Sequence, residues 1–284
     1  MKKLIIVNAF KTTLHFSEKI EEYFNNRFGE AEVVDIDTLG SFPAHDRILL
    51  RCGFPKDGYY GEDMRRHARS HGCITVNNIQ CIENGFDKYI SARMAKDIIK
   101  TPITVGIGRY EIESRRNREN VAREINFPAF LKPRYSSGGK NIKSYGSAEK
   151  FVESTDYENL SPNFIGNWIV QEAITFDKLI RAVWIEDVGL VDAVYDVPDA
   201  GKKYTITDKL GDNCRIYHGD RGKLARTCEA IAKKFGAKHL VVDLFEKDGE
   251  FIFNEVNNAT NLWWLNKISG VRHALLLAEL MNRQ

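Results

Sequence analysis

Apolar positions along the chain fall into two kinds of run. Lys3 to Ala9 is a nearly unbroken apolar stretch of strand length, and Glu32 to Ile36, Arg47 to Arg51 and Cys73 to Val76 also read as strands. Between them, Phe16 to Phe28 has helical spacing and stops before Gly29, and Gly61 to Ser70 reads as a basic helix. This alternation predicts a small α/β sheet over about the first 80 residues. No glycine fingerprint follows the first strand, which disfavours a dinucleotide site.

Further on, Asp87 to Lys100 reads as a helix ended by the Thr101-Pro102 step, Ile103 to Val105 as a short strand and Ile112 to Ile125 as a helix. Phe127 to Pro133 and Asn141 to Tyr145 read as strands flanking a polar, glycine-containing loop. Trp168 to Ile174, Leu179 to Ile185 and Leu190 to Tyr195 are expected to share a second sheet. Residues 199–213 read as a polar loop and Arg221 to Phe235 as a helix. His239 to Phe245 and Glu250 to Asn257 form a hairpin around Lys247-Asp248-Gly249, and one C-terminal helix is expected from Asn266 to Met281.

The hairpin carries the first chemical signal. Glu255 and Asn257 alternate to the same face of an otherwise apolar strand, and Asp243 lies in its partner, HLVVDLF. A buried carboxylate is costly without a cation. Two carboxylates and an amide oxygen on one face suit a hard ion such as Mg²⁺; taken alone, they also suit a solvent-facing acidic face. A second signal is KPRYSSGGKNI, residues 132–142, where a strand delivers Lys132 into a Ser/Gly loop with Lys140. Such a loop lets phosphate oxygens approach backbone N–H groups, although an ordinary hairpin turn has the same composition. It is not a Walker A loop, because GxxxxGK[ST] is absent. A third is WIVQEAI, residues 168–174, whose end could offer backbone groups to an adenine edge. Asp177 could then accept from ribose hydroxyls, and Arg181 could meet phosphate oxygens.

Composition narrows the classes. A net charge of +2 over 284 residues argues against a dedicated nucleic-acid binder. No apolar run approaches the roughly 20 residues that span a bilayer, and MKKLIIVNAF makes a poor signal peptide. The five cysteines form no CxxC pair, which points to free thiols in a reducing cytoplasm and away from zinc. The histidines show no paired metal spacing, and no GxSxG elbow supports a nucleophilic hydrolase. The basic stretches MRRHARSH and SRRNRENVAR read as solvated helix faces.

Taken in order, Asp87-Lys88, KPRYSSGGKNI, WIVQEAITFD, Arg181, VVDLF and NEVN resemble the ATP-grasp superfamily over about residues 86–265. The glutathione synthetase-like branch, with ribosomal-protein glutamate ligases and D-alanine–D-alanine ligases, looks closest. The resemblance implies an α/β (α+β) ATP-grasp architecture. An N-terminal Rossmann-like α/β domain (1–85) would precede a central subdomain with the phosphate loop (86–165) and a C-terminal subdomain with the metal site (166–284), the last two sandwiching the nucleotide. It implies that Lys88 and Lys132 touch the phosphates, with Ser136, Ser137, Gly138 and Gly139 as a loop closing over them. Gln171, Glu172 and Ile174 would line the adenine, and Asp177 or Lys178 would meet the ribose. Arg181 and Arg215 would face the γ-phosphate and an acyl-phosphate. Asp243, Glu255 and Asn257 would hold Mg²⁺, as two ions, with Mn²⁺ the alternative. The implied activity is ATP-dependent joining of a carboxylate to an amine through an acyl-phosphate, with ADP and phosphate released. The substrates would be small molecules or peptides, in a cytoplasmic enzyme for which a homodimer is a common state. A kinase of the same fold and a nucleotide binder without turnover are the alternatives. One departure stands out: relatives follow EVN with a small Ser-Pro-Gly stretch, and here Asn258 to Trp264 ends in two tryptophans. They either wall an acceptor pocket or pack into the core.

Overall fold

The computed structural model describes residues 2–8, 14–41, 45–51, 59–136, 141–155, 167–197, 214–258 and 260–284. The chain opens as β1 (Lys2–Asn8), α1 (Leu14–Arg27), β2 (Gly29–Asp35), β3 (Arg47–Arg51), α2 (Tyr59–His71) and β4 (Ile74–Val76). The four strands form a parallel sheet in the order β2-β1-β3-β4. Phe16, Ile20 and Phe24, spaced by one helical turn, seat α1 on this sheet with no exposed surface. Gly29 allows β2 to start against β1: a Cβ there would lie 2.2 Å from the Lys2 carbonyl oxygen.

Next come α3 (Ile79–Phe86), α4 (Lys88–Ala95), β5 (Thr104–Gly108), α5 (Arg109–Glu113), α6 (Arg115–Glu124), β6 (Ala129–Pro133), β7 (Lys143–Tyr145), α7 (Ala148–Glu153) and β8 (Asn167–Glu172). Helix α3 was not expected from the sequence. The Asn78 side chain caps it by accepting from the Cys81 N–H at 2.7 Å, and Asp87 then ends α3 and caps α4. The helix expected over Asp87 to Lys100 is therefore shorter, and the helix expected over Ile112 to Ile125 is broken at Ser114 into α5 and α6.

Strands β5, β8, β6 and β7, in that order, make an antiparallel sheet backed by α5, α6 and α7. Here the expectation for Trp168 to Ile174 is corrected. Strand β8 pairs with β5 and β6, in the sheet of Lys132, and not with the strands that follow it. Glu172 closes this segment beside its start. Its carboxylate accepts from Ile103 N–H (2.9 Å) and Asn126 Nδ2 (3.0 Å), and its own N–H donates to the Ile103 carbonyl (3.0 Å).

The last part is β9 (Lys178–Ile185), β10 (Gly189–Asp196), β11 (Arg215–Ile216), α8 (Arg221–Phe235), β12 (His239–Lys247), β13 (Glu250–Asn257), α9 (Trp263–Ser269) and α10 (His273–Arg283). Its sheet is antiparallel, ordered β11-β10-β9-β12-β13. The single C-terminal helix expected from Asn266 to Met281 is two helices. Gly270 adopts φ +72°, a left-handed conformation that terminates α9. One face of this sheet packs Ile180, Ala182, Leu240 and Val242 against α8. The other packs Val183, Ile185 and Val241 against α9, α10 and the first sheet's α1. Buried between β10 and the last helices, Asp192 accepts from Ser269 Oγ (2.6 Å) and lies 3.1 Å from His273 Nε2. Among the described residues, no helix is long and apolar enough to cross a membrane.

Candidate active site

On the second face of the large sheet, the apolar cover stops one pleat beyond Val183 and Val241. The next inward positions are Arg181 and Asp243, directly opposite each other on β9 and β12, and Asp243 is opposite Glu255 on β13. Asn257 follows on the same face. An irregularity after Asp243 preserves this alignment while Phe253 turns into the opposite core. Arg181 holds Asp243 with a two-pronged pair, Nε to Oδ1 at 2.8 Å and Nη2 to Oδ2 at 2.7 Å. Asn257 Nδ2 donates to Asp243 Oδ2 at 3.2 Å.

The smaller sheet faces this group. Its inward positions are Phe130 and Lys132 on β6, opposite Gln171 and Ile169 on β8, while Leu131 and Val170 turn to the helices. Gln171 is buried and donates from Nε2 to Thr104 Oγ1 at 2.8 Å. Lys88, in the first turn of α4, places its amine 3.7 Å from Glu255 Oε2 and donates to the Ser136 carbonyl. Lys88, Lys132 and Arg181 thus surround Glu255 with positive charge, as the strand's composition demanded.

The electrostatics follow from this crowding. Burial raises the Glu255 carboxyl, but Lys88, Lys132 and Arg181 outweigh it and leave it below its ordinary value. Asp243 is raised, first by burial and against the pull of Arg181, with Glu255 adding repulsion. Arg181 is opposed by burial but held firmly charged by Asp243. Lys132 is pushed down to about 8, by burial first, with Glu255 resisting and Lys88 adding to the depression.

The donor set fits a hard cation. Asp243 is 2 % exposed, whereas the Glu255 side chain keeps 32 % of its surface open towards the cleft. All three side chains offer oxygen, the ligand Mg²⁺ prefers. Among the described residues no group of three or more His, Cys, Asp or Glu is disposed to hold a metal. Two carboxylates and one amide suit an ion whose remaining ligands come from phosphate and water.

The other expected residues fall as follows. Asp177 lies on the crossing from β8 to β9 and accepts from the Asp248 N–H at 2.9 Å. Lys178 points away from Arg181, as alternation requires, with its amine 3.2 Å from Glu246 and over the rings of Tyr195 and Tyr217. Arg215 is not brought to Arg181. It is exposed and opposite Tyr195, on the other face of the sheet. Glu172 spends its carboxylate and N–H on Ile103 and Asn126, as above, and Ile174 is half-buried on the crossing. Ser136 is buried, while Ser137, Gly138, Gly139 and Lys140 lie outside the described residues, as do residues 199–213. The aromatic pair Phe176–Phe245, stacked at 4.6 Å next to Leu179, extends the face that carries Arg181 and Asp243. It was missed because Phe245 lies in an apolar run and Phe176 in a polar connection, and neither position carries a local signal that the two meet. Trp263 and Trp264 are half-buried, and Trp263 meets the His15 ring edge-on at 4.9 Å.

No family model matches the chain, and no curated protein matches it in sequence. Solved structures match over its whole length. An ATP-grasp RimK domain protein from Sphaerobacter thermophilus is 18 % identical with a TM-score of 0.71, covering 99 % of each chain. D-alanine–D-alanine ligase from Bacillus anthracis is 16 % identical with a TM-score of 0.71, covering 100 % of this chain and 98 % of that one. The ATP-grasp ligase PsnB, complexed with a phosphomimetic variant of its minimal precursor, Mg and ADP, is 16 % identical with a TM-score of 0.63, covering 100 % and 99 %.

Proposed function

This chain has the ATP-grasp fold, and from that premise we propose that it joins a carboxylate to an amine with ATP as the energy source. The observation that carries the reading is the convergence of Lys88, Lys132 and Arg181 with Asp243, Glu255 and Asn257 between two facing sheets. A bare nucleotide binder has little use for an arginine fork and a full oxygen-donor set at the phosphate end. The neighbours support the ligase class: one is a D-alanine–D-alanine ligase, and one was solved with a precursor, Mg and ADP.

In this reading a carboxylate oxygen attacks the γ-phosphorus, ADP leaves, and an acyl-phosphate forms. The amine then attacks the acyl carbon, phosphate leaves, and the amine gives up a proton. Lys88 and Lys132 bind phosphate oxygens, and Arg181 steadies charge on the transferring group. Asp243, Glu255 and Asn257 would hold Mg²⁺, which neutralises phosphate charge when bound. We assign the ribose to Asp177 rather than Lys178, because the Lys178 amine is turned to Glu246. Phe176 and Phe245 offer an apolar platform nearby. The donor is a small-molecule or peptide carboxylate. The four described cysteines are free, which supports a reducing, cytoplasmic setting.

The test is a screen of amino acids and short peptides for ADP and phosphate release, with product mass measured. An amide product that appears only with ATP and both substrates is expected. Equal ADP release with and without any amine, with a phosphorylated product, would favour a kinase instead.

A further inference from the structure

Asp87 is fully buried and serves two elements at once. Its Oδ1 accepts from the N–H groups of Tyr89 (3.0 Å) and Ile90 (3.1 Å), capping α4. The same carboxylate receives the Arg134 fork, with Nε 2.7 Å from Oδ1 and 2.8 Å from Oδ2, and Nη2 2.6 Å from Oδ2. The Tyr135 hydroxyl donates to Oδ2 at 3.1 Å. The guanidinium also lies over the rings of Tyr89 and Tyr135, 5.4 and 5.5 Å from their centroids. Across the same seam, Lys88 N–H donates to the Arg134 carbonyl at 3.1 Å and the Lys88 amine to the Ser136 carbonyl.

Capping alone does not explain an aspartate here, since asparagine caps a helix about as well. The guanidinium explains it. A charged two-pronged pair fixes both distance and plane, which one neutral hydrogen bond does not. What the pair fixes is telling. Lys88 follows Asp87 directly, and Lys132 stands two residues before Arg134. The two lysines beside Glu255 come from different elements, and Asp87–Arg134 is the clamp that sets their spacing.

We propose that Asp87 is a positioning residue for the nucleotide: clamped to Arg134 and Tyr135, it aligns Lys88 and Lys132 on the phosphates. This rests on the nucleotide-binding half of the ligase reading. The full chain carrying Asp87→Asn keeps a capping oxygen and loses the charge on the fork. Mg-ADP binding by calorimetry should weaken about tenfold or more, the size of effect expected for a lost charge-assisted pair that orders a site. The ATP KM should rise with it, while the amine KM moves less than about twofold. Arg134→Lys, which restores charge without the fork, should fall between Arg134→Gln and wild type. A merely structural role predicts instead that both KM values and the melting temperature change together, with no recovery by lysine. Wild-type affinity for Mg-ADP in Asp87→Asn overturns the proposal. Should that variant fail to fold, the Arg134→Gln and Arg134→Lys pair decides by the same readout. The ligase reading fails separately, if wild-type protein binds Mg-ADP yet forms no amide. Wild-type protein that binds no Mg-ADP overturns both.

Discussion

Nucleotide binding should draw a proton onto Lys132. In the free protein its amine is lowered from 10.5 to about 8, chiefly because burial strips it of water. That span corresponds to about 3 kcal/mol against the charged form. Phosphate oxygens arriving beside the amine reverse the balance and return it towards its ordinary value. Below pH 8 the amine is already mostly charged, so uptake on binding should be only about 0.1 proton at pH 7. It should reach about 0.5 at pH 8 and about 0.9 at pH 9. Above pH 8 the Kd should climb about tenfold per pH unit, because the binding-competent form is being lost. The effect on folding has the opposite slope. The unfolded chain keeps this lysine charged up to about 10.5, so its burial penalty is full below pH 8 and is relieved between 8 and 10.5. Calorimetric titrations of Mg-ADP in two buffers of different ionisation enthalpy measure the uptake directly. Lys132→Gln should abolish it. Uptake that is zero at pH 8, or that survives in Lys132→Gln, refutes the reasoning.

Glu255→Gln should remove nearly all ATP turnover while leaving the melting temperature close to wild type, because the side chain is open to the cleft; Mg²⁺-dependent turnover at the wild-type rate would take the residue out of the metal set. Trp263→Ala should destabilise by about 3 kcal/mol, since the ring packs on His15 and the helical cluster beneath it. Thermal melts beside acceptor and ATP titrations would show whether the loss is confined to stability. His273→Ala should cost about 1–3 kcal/mol by leaving the buried Asp192 carboxylate with Ser269 Oγ as its remaining donor; denaturant unfolding checks this, and an unchanged midpoint would mean the site refills with water.

What was legible in the sequence depended on how local its cause was. Glu255 and Asn257 could be read because period-two alternation in an apolar strand makes two polar residues conspicuous. Lys132 could be read because a strand runs into glycines. The sheet to which Trp168 to Glu172 belongs could not, because pairing is decided by partners far away in the chain. The face of Arg215 was hidden for a related reason: a two-residue strand gives no alternation to read, and only its register with Tyr195 assigns its face. The split of the C-terminal helix at Gly270 had a local cue, which the strong apolar spacing on either side masked. Asp87 was noticed as the start of a helix, but its clamp on Arg134 joins positions 47 apart and no local pattern announces it.

The bond between Ile103 and Glu172 has a mechanical meaning. The segment from Thr104 to Glu172 leaves the rest of the chain and returns to it at adjacent points, and those two crossings are tied to each other. Two parallel tethers fastened side by side allow a leaf to swing about one line but not to slide. Arg134 lies at the far end of β6 from that line, about five residues or roughly 15 Å away. There the Asp87 carboxylate catches it. The smaller sheet is thus a beam supported at both ends rather than a flap hung from one. Its span over the carboxylates is held from both sides.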